Sequence, residues 1–379
     1  MKRSVALLLA LVMALCCACA EESADVVLMS VGGEDVMLSL VENYAYMLYY
    51  YGYTDGLDML EGLEYVLRYE IAPKLLVSDP EALLGDEYAA SVAEATEYYE
   101  DAIAEYIEAY AEEGKSEAEL RLEAIDYYGT SLEDYVNGYV LSDAYEKLLE
   151  NMDIEVSDEE AEALYVSEAE YQMSVITSVM MYEYYTGYGY DLYFTPAGYR
   201  GILHILIDAD ADLLSAYADA ADETAIAEAK AAVIASVQPT LDEIYAAFEN
   251  GTSFEELIAE YCIDPGMQDE DNLANGYAVN KDSYTWVSEF TEGSFGEEMQ
   301  QPGDISNPVV TSYGVHILYY LRDIPEGITP ITDELLETYR GYLRSDKQQE
   351  AADALLKEFE VVYTLDYDSY VGEDCFLSM

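Results

Sequence analysis

Residues 302–321 read PGDISNPVVTSYGVHILYYL, and this stretch predicts a β-hairpin. Ser312, Tyr313 and Gly314 have the composition of a tight turn, and the residues on both sides of them are mainly apolar. The expected strands cover 307–311 and 315–321. The second strand carries His316, one of only two histidines among the 379 residues.

The other histidine has almost the same surroundings. His204 lies in GILHILI, residues 201–207, and both histidines are followed by Ile and Leu. Side chains alternate along a strand, so two paired strands of this kind could bring the two imidazoles together on one face. A core histidine that bonds a backbone carbonyl is the simpler interpretation of either one alone. Their shared context favours a paired site.

The remaining pattern predicts a largely helical first part and a mixed second part. A short strand with a Gly32-Gly33 turn is expected within 25–35, and a fourth strand of the second part is expected at 276–280. Helix 253–261 has the Ser253/Glu256 spacing of a capping box. The predicted helices cover 36–51, 57–72, 79–113, 116–128, 131–151, 211–249, 253–261 and 332–358. The strand-like FEVVYTLDY near the end is expected to pack back, with the last helix, on the first helices.

Residues 171–200 are dense in Tyr, Met and Gly and nearly free of charge. Two interpretations stay open. The segment could be an apolar stretch packed on the helical domain. Alternatively, it could be a contact surface for unfolded proteins, because Met and Tyr adapt to varied apolar partners.

The N-terminus predicts export. Lys2 and Arg3 precede an apolar run and the sequence Cys16-Cys17-Ala18-Cys19-Ala20, so residues 1–20 have the form of a signal peptide. Cleavage after Ala20 would release a soluble, secreted protein. We favour a lipobox-like reading, in which Cys19 is lipidated and holds the protein at the outer face of the cell membrane, although Leu15 lies one place early for the usual pattern.

Charge and composition exclude several classes of function. The chain has 79 acidic and 15 basic residues, so nucleic acid is not an expected partner. With two histidines and few thiols after the leader, an imidazole or thiolate metal site is not expected, and no cofactor is predicted. The high negative charge suits solubility and could also attract basic polypeptide segments.

Taken together, several stretches resemble the parvulin family of peptidyl-prolyl isomerases. They are GILHILI at 201–207, SFEELIAEYCIDPGM at 253–267, WVSEF at 286–290 and the hairpin at 302–321. The resemblance covers about 195–325. The flanking arrangement is similar to that of PrsA/SurA-type extracytoplasmic foldases.

This resemblance implies an α+β protein with two domains. We expect a helical chaperone-like domain at 21–170, a Tyr/Met-rich connection at 171–200 and a parvulin domain at 201–325, with 326–379 returning to the first domain. The parvulin domain would hold a small, antiparallel-rich, four-stranded sheet surrounded by helices. Its implied activity is cis/trans isomerisation of X-Pro bonds in unfolded or nascent exported polypeptides, combined with holding them as a chaperone.

The resemblance also assigns site residues. His204 and His316 match the paired histidines that brace the sheet beneath the active site, and Asp264 matches the position next to the substrate amide. The substrate-binding positions are those of the proline pocket and its walls: Trp286, Phe290, Phe295 and Tyr313. Cys262 is interpreted as structural. An ionised Asp264 would repel a carbonyl oxygen, so either it is protonated or it acts through a hydrogen-bond donor.

Two departures support a rival function. Trp286 stands where Met is usual, and the 268–285 loop lacks the usual GGDLGWF sequence. The chain could therefore be a binding-only holdase with a weak or inactive parvulin domain. The segment DADADLL at 208–214 lacks the basic cluster of phosphate-directed parvulins. A third reading, an acidic adhesion or cation-binding lipoprotein, has only the loop DPGMQDEDN at 264–272, which lacks the EF-hand pattern.

Overall fold

The computed structural model describes residues 25–111, 114–372 and 374–378, and it has the predicted α+β composition. The chain divides into two compact units. One contains the described residues up to Ser157 and from Arg340 onward; the other is Asp158–Tyr339. The predicted signal peptide and Cys19 lie outside the described residues.

The first unit begins with a hairpin and continues as helices. Its elements up to Glu150 are β1 (Val27–Val31), β2 (Glu34–Met37), α1 (Leu38–Tyr50), α2 (Met59–Val66), α3 (Ala72–Leu76), α4 (Pro80–Leu84), α5 (Tyr88–Tyr110), α6 (Glu117–Tyr128) and α7 (Leu132–Glu150). A π-helical turn, Leu67–Ile71, joins α2 to α3.

One local expectation for this unit was wrong. The helix was expected to start near 36, but residues 34–37 form a second strand that pairs with β1. The cause is the turn: Gly32 and Gly33 have φ of 58° and 94°, in the left-handed region that glycine adopts readily, and they fold the chain back on itself.

The second unit holds the sheet that carries both histidines. Its elements are α8 (Asp158–Val175), α9 (Val179–Gly187), β3 (Phe194–Thr195), β4 (Arg200–Ile207), α10 (Ala211–Ala218), α11 (Glu223–Glu249), α12 (Phe254–Tyr261), α13 (Glu270–Asn275), β5 (Tyr277–Val279), α14 (Ser288–Ser294), β6 (Val309–Thr311), β7 (Gly314–Asp323) and β8 (Gly327–Ile328). The four-stranded sheet has the order β5-β4-β7-β6, and its neighbours are antiparallel. The predicted sheet is confirmed.

Two apolar layers enclose this sheet. One face packs on helices α11 and α12 through residues such as Val233, Ile244 and Phe254. The other face packs on Phe290 and Met299. The stretch expected as one helix at 211–249 is interrupted at 219–222, because Asp222 caps a new helix by accepting from the Ala225 amide.

Residues 158–195 are part of the second unit rather than a loose connection. Helix α8 packs through Tyr165 in a small cluster with Tyr193 and Ile328, and β3 pairs with β8. The compact units therefore divide at 157/158 and 339/340, whereas the domain bounds expected from the sequence lie near 170, 200 and 325.

The chain then returns to the first unit. Helix α15 (Asp333–Leu356) places Ala352 and Leu356 in the first unit's core, and β9 (Val361–Tyr363) pairs with β1 before a short helix, α16 (Tyr367–Tyr370). Asp353 pairs with Arg68 at 2.9 Å. The C-terminal helix and strand thus pack on the elements of the first unit. Among the described residues, no helix is long and apolar enough to cross a membrane.

Candidate functional site

The sheet register brings the two histidines together. Leu206 on β4 lies opposite His316 on β7, so His204, two residues earlier, shares that face as a diagonal neighbour. The two Nδ1 atoms lie 3.0 Å apart, and the ring centroids are separated by 5.1 Å. Both side chains are buried, at 3% and 5% exposure. The pairing expected from their shared sequence context is therefore present.

Asp264 continues the polar chain on the His204 side. Its Oδ2 atom lies 2.7 Å from His204 Nε2 and accepts a hydrogen bond from the Tyr277 hydroxyl at 2.9 Å. Its Oδ1 atom accepts from the backbone N–H of Gly266 at 2.9 Å, where Asp264 caps a short 3₁₀ turn. The carboxylate is thus held by three groups from three segments of the unit.

Thr311 continues the chain on the His316 side. Its hydroxyl lies 2.8 Å from His316 Nε2, and it accepts a hydrogen bond from the backbone N–H of Tyr313 at 3.1 Å. Thr311 is fully buried at the end of β6.

This chain of contacts fixes the tautomers of both imidazoles. Ionised Asp264 can only accept, so His204 carries its proton on Nε2 and accepts on Nδ1. His316 must then donate from Nδ1 and accept on Nε2 from the Thr311 hydroxyl. Every contact from Tyr313 to Asp264 has one donor and one acceptor when both histidines are neutral.

The electrostatics agree with that arrangement. Burial lowers the pKa of His204, against the opposing pull of Asp264. Burial and the neighbouring His204 lower the pKa of His316 to about 3. Burial acts to raise the pKa of Asp264, but the bonds from Gly266, His204 and Tyr277 outweigh it and hold that pKa below its ordinary value. Two alternatives were open from the sequence, a protonated Asp264 or an Asp264 that acts through a hydrogen-bond donor, and this geometry disfavours the protonated form.

An aromatic wall stands beside the histidines. Phe290 on α14 is 3% exposed and presents its ring edge-on to both imidazoles, at 5.3 Å from His204 and 5.5 Å from His316. Half-buried Trp286 stacks on Phe290 at 5.4 Å. The ring centroids of Tyr277 and Trp286 are 4.8 Å apart. Tyr277 therefore contacts both the aromatic wall and Asp264.

The other two predicted wall residues have different surroundings. The ring of Phe295 lies 4.3 Å from the guanidinium carbon of Arg200, which is also 4.3 Å from the Tyr320 ring, so Phe295 takes part in a cation–π arrangement. Tyr313 lies at the hairpin turn and is 65% exposed. It is available to a ligand, but only its backbone N–H joins the polar chain.

Cys262 lies near the site without taking part in the polar chain. Its sulfur accepts a hydrogen bond from the backbone N–H of Leu206 at 3.3 Å and lies 3.5 Å from the His204 carbonyl. Burial raises the pKa of its thiol, which favours the unreactive protonated form. These contacts support its interpretation as structural.

Sequence reasoning missed Tyr277 and Thr311. A signal existed for each: Thr311 is a polar residue that ends an apolar strand, and Tyr277 starts β5 directly after Gly276. Within the part of the chain that the structure describes, no group of three or more His, Cys, Asp or Glu residues could hold a metal ion.

Comparison with known proteins identifies the class of this domain. Residues 204–322 match the rotamase family, described as the PPIC-type PPIase domain. This match agrees with the resemblance to peptidyl-prolyl isomerases of the parvulin family that the sequence implied for this region.

The particular relatives are foldases. The chain is similar to the foldase protein PrsA of Caldanaerobacter subterraneus subsp. tengcongensis, with 32% identity over 136 residues, 34% of this chain and 40% of the relative. It is 27% identical over 128 residues to the foldase protein PrsA of Geobacillus kaustophilus, which is 33% of this chain and 43% of that relative. The matched region thus spans about two fifths of these relatives' length.

Solved structures were also compared. PrsA from Bacillus subtilis is 15% identical, with 83% of this chain and 94% of that chain covered and a TM-score of 0.22. A SurA-like chaperone of Campylobacter jejuni is 10% identical, with 89% of this chain and 99% of that chain covered and a TM-score of 0.29.

Proposed function

We propose that the second unit catalyses cis/trans isomerisation of X-Pro bonds. The observation that carries this proposal is the combination of ionised Asp264 with the Trp286–Phe290 wall, both fixed by the neutral histidine pair, inside a domain of the PPIC type. Histidines 204 and 316 are buried behind Asp264 and Phe290, so they would act by positioning these residues.

The reaction needs no nucleophile. Rotation about X-Pro passes through a twisted amide in which resonance is lost, with a barrier of about 18–20 kcal/mol. An enzyme accelerates it by binding the twisted form better than the planar forms. The proline ring would lie against Trp286 and Phe290, and this contact would fix one side of the bond.

Asp264 supplies the difference between the planar and twisted states. In the planar amide, resonance places partial negative charge on the carbonyl oxygen, and twisting returns that density to nitrogen. A carboxylate beside the carbonyl oxygen therefore penalises the planar amide more than the twisted one. The three bonds to Gly266, His204 and Tyr277 keep the carboxylate charged and in place.

The test is turnover on a short Ala-Pro peptide, measured by NMR exchange or by a protease-coupled assay. We expect activity in the natural chain and a loss of roughly tenfold or more in Asp264→Ala. The matched control is Asp208→Ala, which removes an exposed carboxylate at the end of β4. A rate equal to the uncatalysed rate, with aggregation suppression intact, would decide for the binding-only holdase. The presence of Trp286 where the family usually has Met favours that alternative.

We propose further that the protein holds unfolded, proline-containing exported polypeptides. Many tyrosines and methionines are exposed: in the first unit Tyr46, Tyr49, Tyr50, Tyr51 and Tyr53, and in the second Tyr171, Met173, Met180, Tyr184, Tyr188 and Tyr190. Clustered exposed apolar side chains of this type suit varied, weakly specific partners. Suppression of aggregation of a reduced, unfolded protein would test this activity separately from turnover.

Export and anchoring belong to the same proposal. The leader supports an extracytoplasmic location, and Cys19 would carry the lipid that holds the protein at the membrane surface. The mass of the mature N-terminus tests it. A diacylated cysteine at 19 supports the anchor, whereas an unmodified N-terminus at Glu21 means secretion in soluble form.

A further inference from the structure

Helix α9 buries its only charged residue. Its sequence, VMMYEYYTG, contains a single carboxylate, Glu183, and this is the only residue of the helix with a fully buried environment, at 8% exposure. Met180 and Tyr184 on the same helix are exposed. The helix thus turns its single charge inward beside Tyr182, which packs on Phe194 and Tyr199, and leaves two large apolar side chains in solvent.

The buried carboxylate accepts five hydrogen bonds. Its Oε1 atom accepts from the hydroxyls of Tyr199, at 3.1 Å, and Ser283. Its Oε2 atom accepts from the backbone N–H groups of Tyr284, at 3.0 Å, and Thr285, at 3.3 Å, and from the Thr285 hydroxyl at 3.2 Å. Four of these five bonds come from three consecutive residues, 283–285.

These three residues lead directly into Trp286. Residues 281–287 contain no helix or strand. Local bonds to Asn280 form a turn at 280–283, and the Trp286 indole N–H donates to the Ala278 carbonyl at 2.9 Å, so the backbone of 284 and 285 between them depends on tertiary contacts. Asn280, which is 2% exposed, anchors the start of the segment by donating to the Ala197 carbonyl at 2.8 Å. Glu183 anchors its end, immediately before the tryptophan that forms the outer part of the aromatic wall.

The energetics favour a single arrangement of this loop. A buried carboxylate is costly unless its acceptor capacity is filled, and five donors fill it. If the loop moved away, the carboxylate would lose most of those donors at once. The bonds therefore act together, as expected for a fully satisfied buried network.

We infer that Glu183 is a positioning residue for the substrate pocket: by clamping residues 283–285 it fixes the Trp286 ring against Phe290. This inference rests on the proposed isomerase function, and it assigns part of the Tyr/Met-rich segment to the pocket. Glu183 itself does not touch the peptide.

The chain offers a direct probe, because Trp286 is its only tryptophan. The experiment measures Trp emission, acrylamide quenching and the kcat and KM for an Ala-Pro peptide in three variants. In Glu183→Ala we expect red-shifted emission, stronger quenching and a KM raised about fivefold to tenfold with kcat changed less. Glu183→Gln should restore most of this, because its carbonyl can accept from the Tyr284 and Thr285 amides while its NH₂ donates to hydroxyls. Glu228→Ala, at an exposed position on α11, should match the natural chain.

Each outcome decides the question. A folded Glu183→Ala with unchanged emission, quenching and KM overturns the inference, as does a variant in which only kcat falls. If Glu183→Ala does not fold, Thr285→Val removes one donor to Glu183 and should shift the same readouts in the same direction; no shift there overturns the inference as well. A natural chain without turnover would refute the isomerase function, and the fluorescence readouts would still decide whether Glu183 holds Trp286.

Discussion

The Nδ1 atoms of His204 and His316 lie 3.0 Å apart, and only one of them can carry a proton. Asp264 at one end and Thr311 at the other determine which one it is. A second proton on this pair would place two donors against each other inside the core. The pair is therefore a neutral structural unit, and its protonation should be coupled to unfolding of the second unit.

The first prediction concerns pH. The pKa of His316 is about 3 in the folded protein and about 6.5 when unfolded, so the unfolded chain binds more protons between these values. The contribution of neutral His316 to the free energy of unfolding is complete above pH 6.5 and declines as the pH falls toward 3. Between pH 7 and pH 4 we expect a loss of about 3 kcal/mol from this group. Denaturant unfolding followed by Trp286 emission measures it.

The control for this prediction is His316→Gln, which cannot titrate. Asp264 does not account for the same window, because its lowered pKa contributes stability that is lost only at lower pH. The stability of the variant should therefore depend less on pH between 7 and 4. Parallel pH curves for the two proteins would contradict the coupling.

The second prediction separates folding from catalysis. In His316→Ala, His204 Nδ1 and the Thr311 hydroxyl would lose their partner in the core, which should cost about 2–4 kcal/mol of unfolding free energy. Turnover should fall with it, because Asp264 and Phe290 lose their support. Thermal melting and peptide turnover are measured on the same sample. Lost turnover with unchanged melting would show that the histidine acts on the substrate directly.

The third prediction tests Tyr277. The Tyr277→Phe change removes one hydrogen bond to the Asp264 carboxylate and leaves the ring in contact with Trp286. We expect the pKa of Asp264 to rise and the unfolding free energy to fall by about 1 kcal/mol. The ¹³C shift of the Asp264 carboxyl, titrated by NMR, reports the pKa. Tyr188→Phe, at an exposed position directly after α9, is the control and should leave that titration unchanged.

Local sequence patterns predicted the individual strands and favoured a histidine pair, and the family resemblance supplied the four-stranded sheet. The alternation of side chains along a strand, the composition of a turn and the capping of a helix all depend on neighbouring residues, so β4, β7 and the Ser253 cap were correctly expected. What could not be predicted depends on contacts between distant segments. Glu183 lies about 100 residues before the loop that it holds, and no local pattern marks that pairing.

Contacts between distant segments also explain why the four predicted aromatic pocket residues have different surroundings. Trp286, Phe290, Phe295 and Tyr313 were assigned together by resemblance, but the structure gives them different neighbours. Phe295 packs with Arg200, whose side chain also donates to the carbonyls of Ser294 and Met299. That arrangement requires residues from β4 and from the segment after α14 at once. Sequence spacing alone cannot show it.

The fourth prediction ranks these residues. Phe290→Ala should cost about 3–5 kcal/mol of stability as well as turnover, because the ring is buried. Tyr313→Ala should cost less than about 0.5 kcal/mol, because the side chain is exposed, and should raise KM by about threefold if the ring contacts the peptide. Melting and peptide kinetics measure both. Equal stability losses would contradict the assignment of Phe290 to the core and Tyr313 to the surface.

The fifth prediction concerns association with clients. With 79 acidic and 15 basic residues, the protein should attract basic segments of unfolded chains over long range. Screening shortens that range to about 8 Å at physiological ionic strength and about 3 Å at 1 M. The association rate of a Lys-rich, proline-containing peptide should therefore fall steeply with added salt in stopped-flow measurements. A peptide of the same apolar residues with Ser in place of Lys is the control and should show little change. If the Lys-rich peptide associates at a rate independent of salt, electrostatic steering plays no part, and the apolar tyrosine and methionine side chains alone would account for client capture.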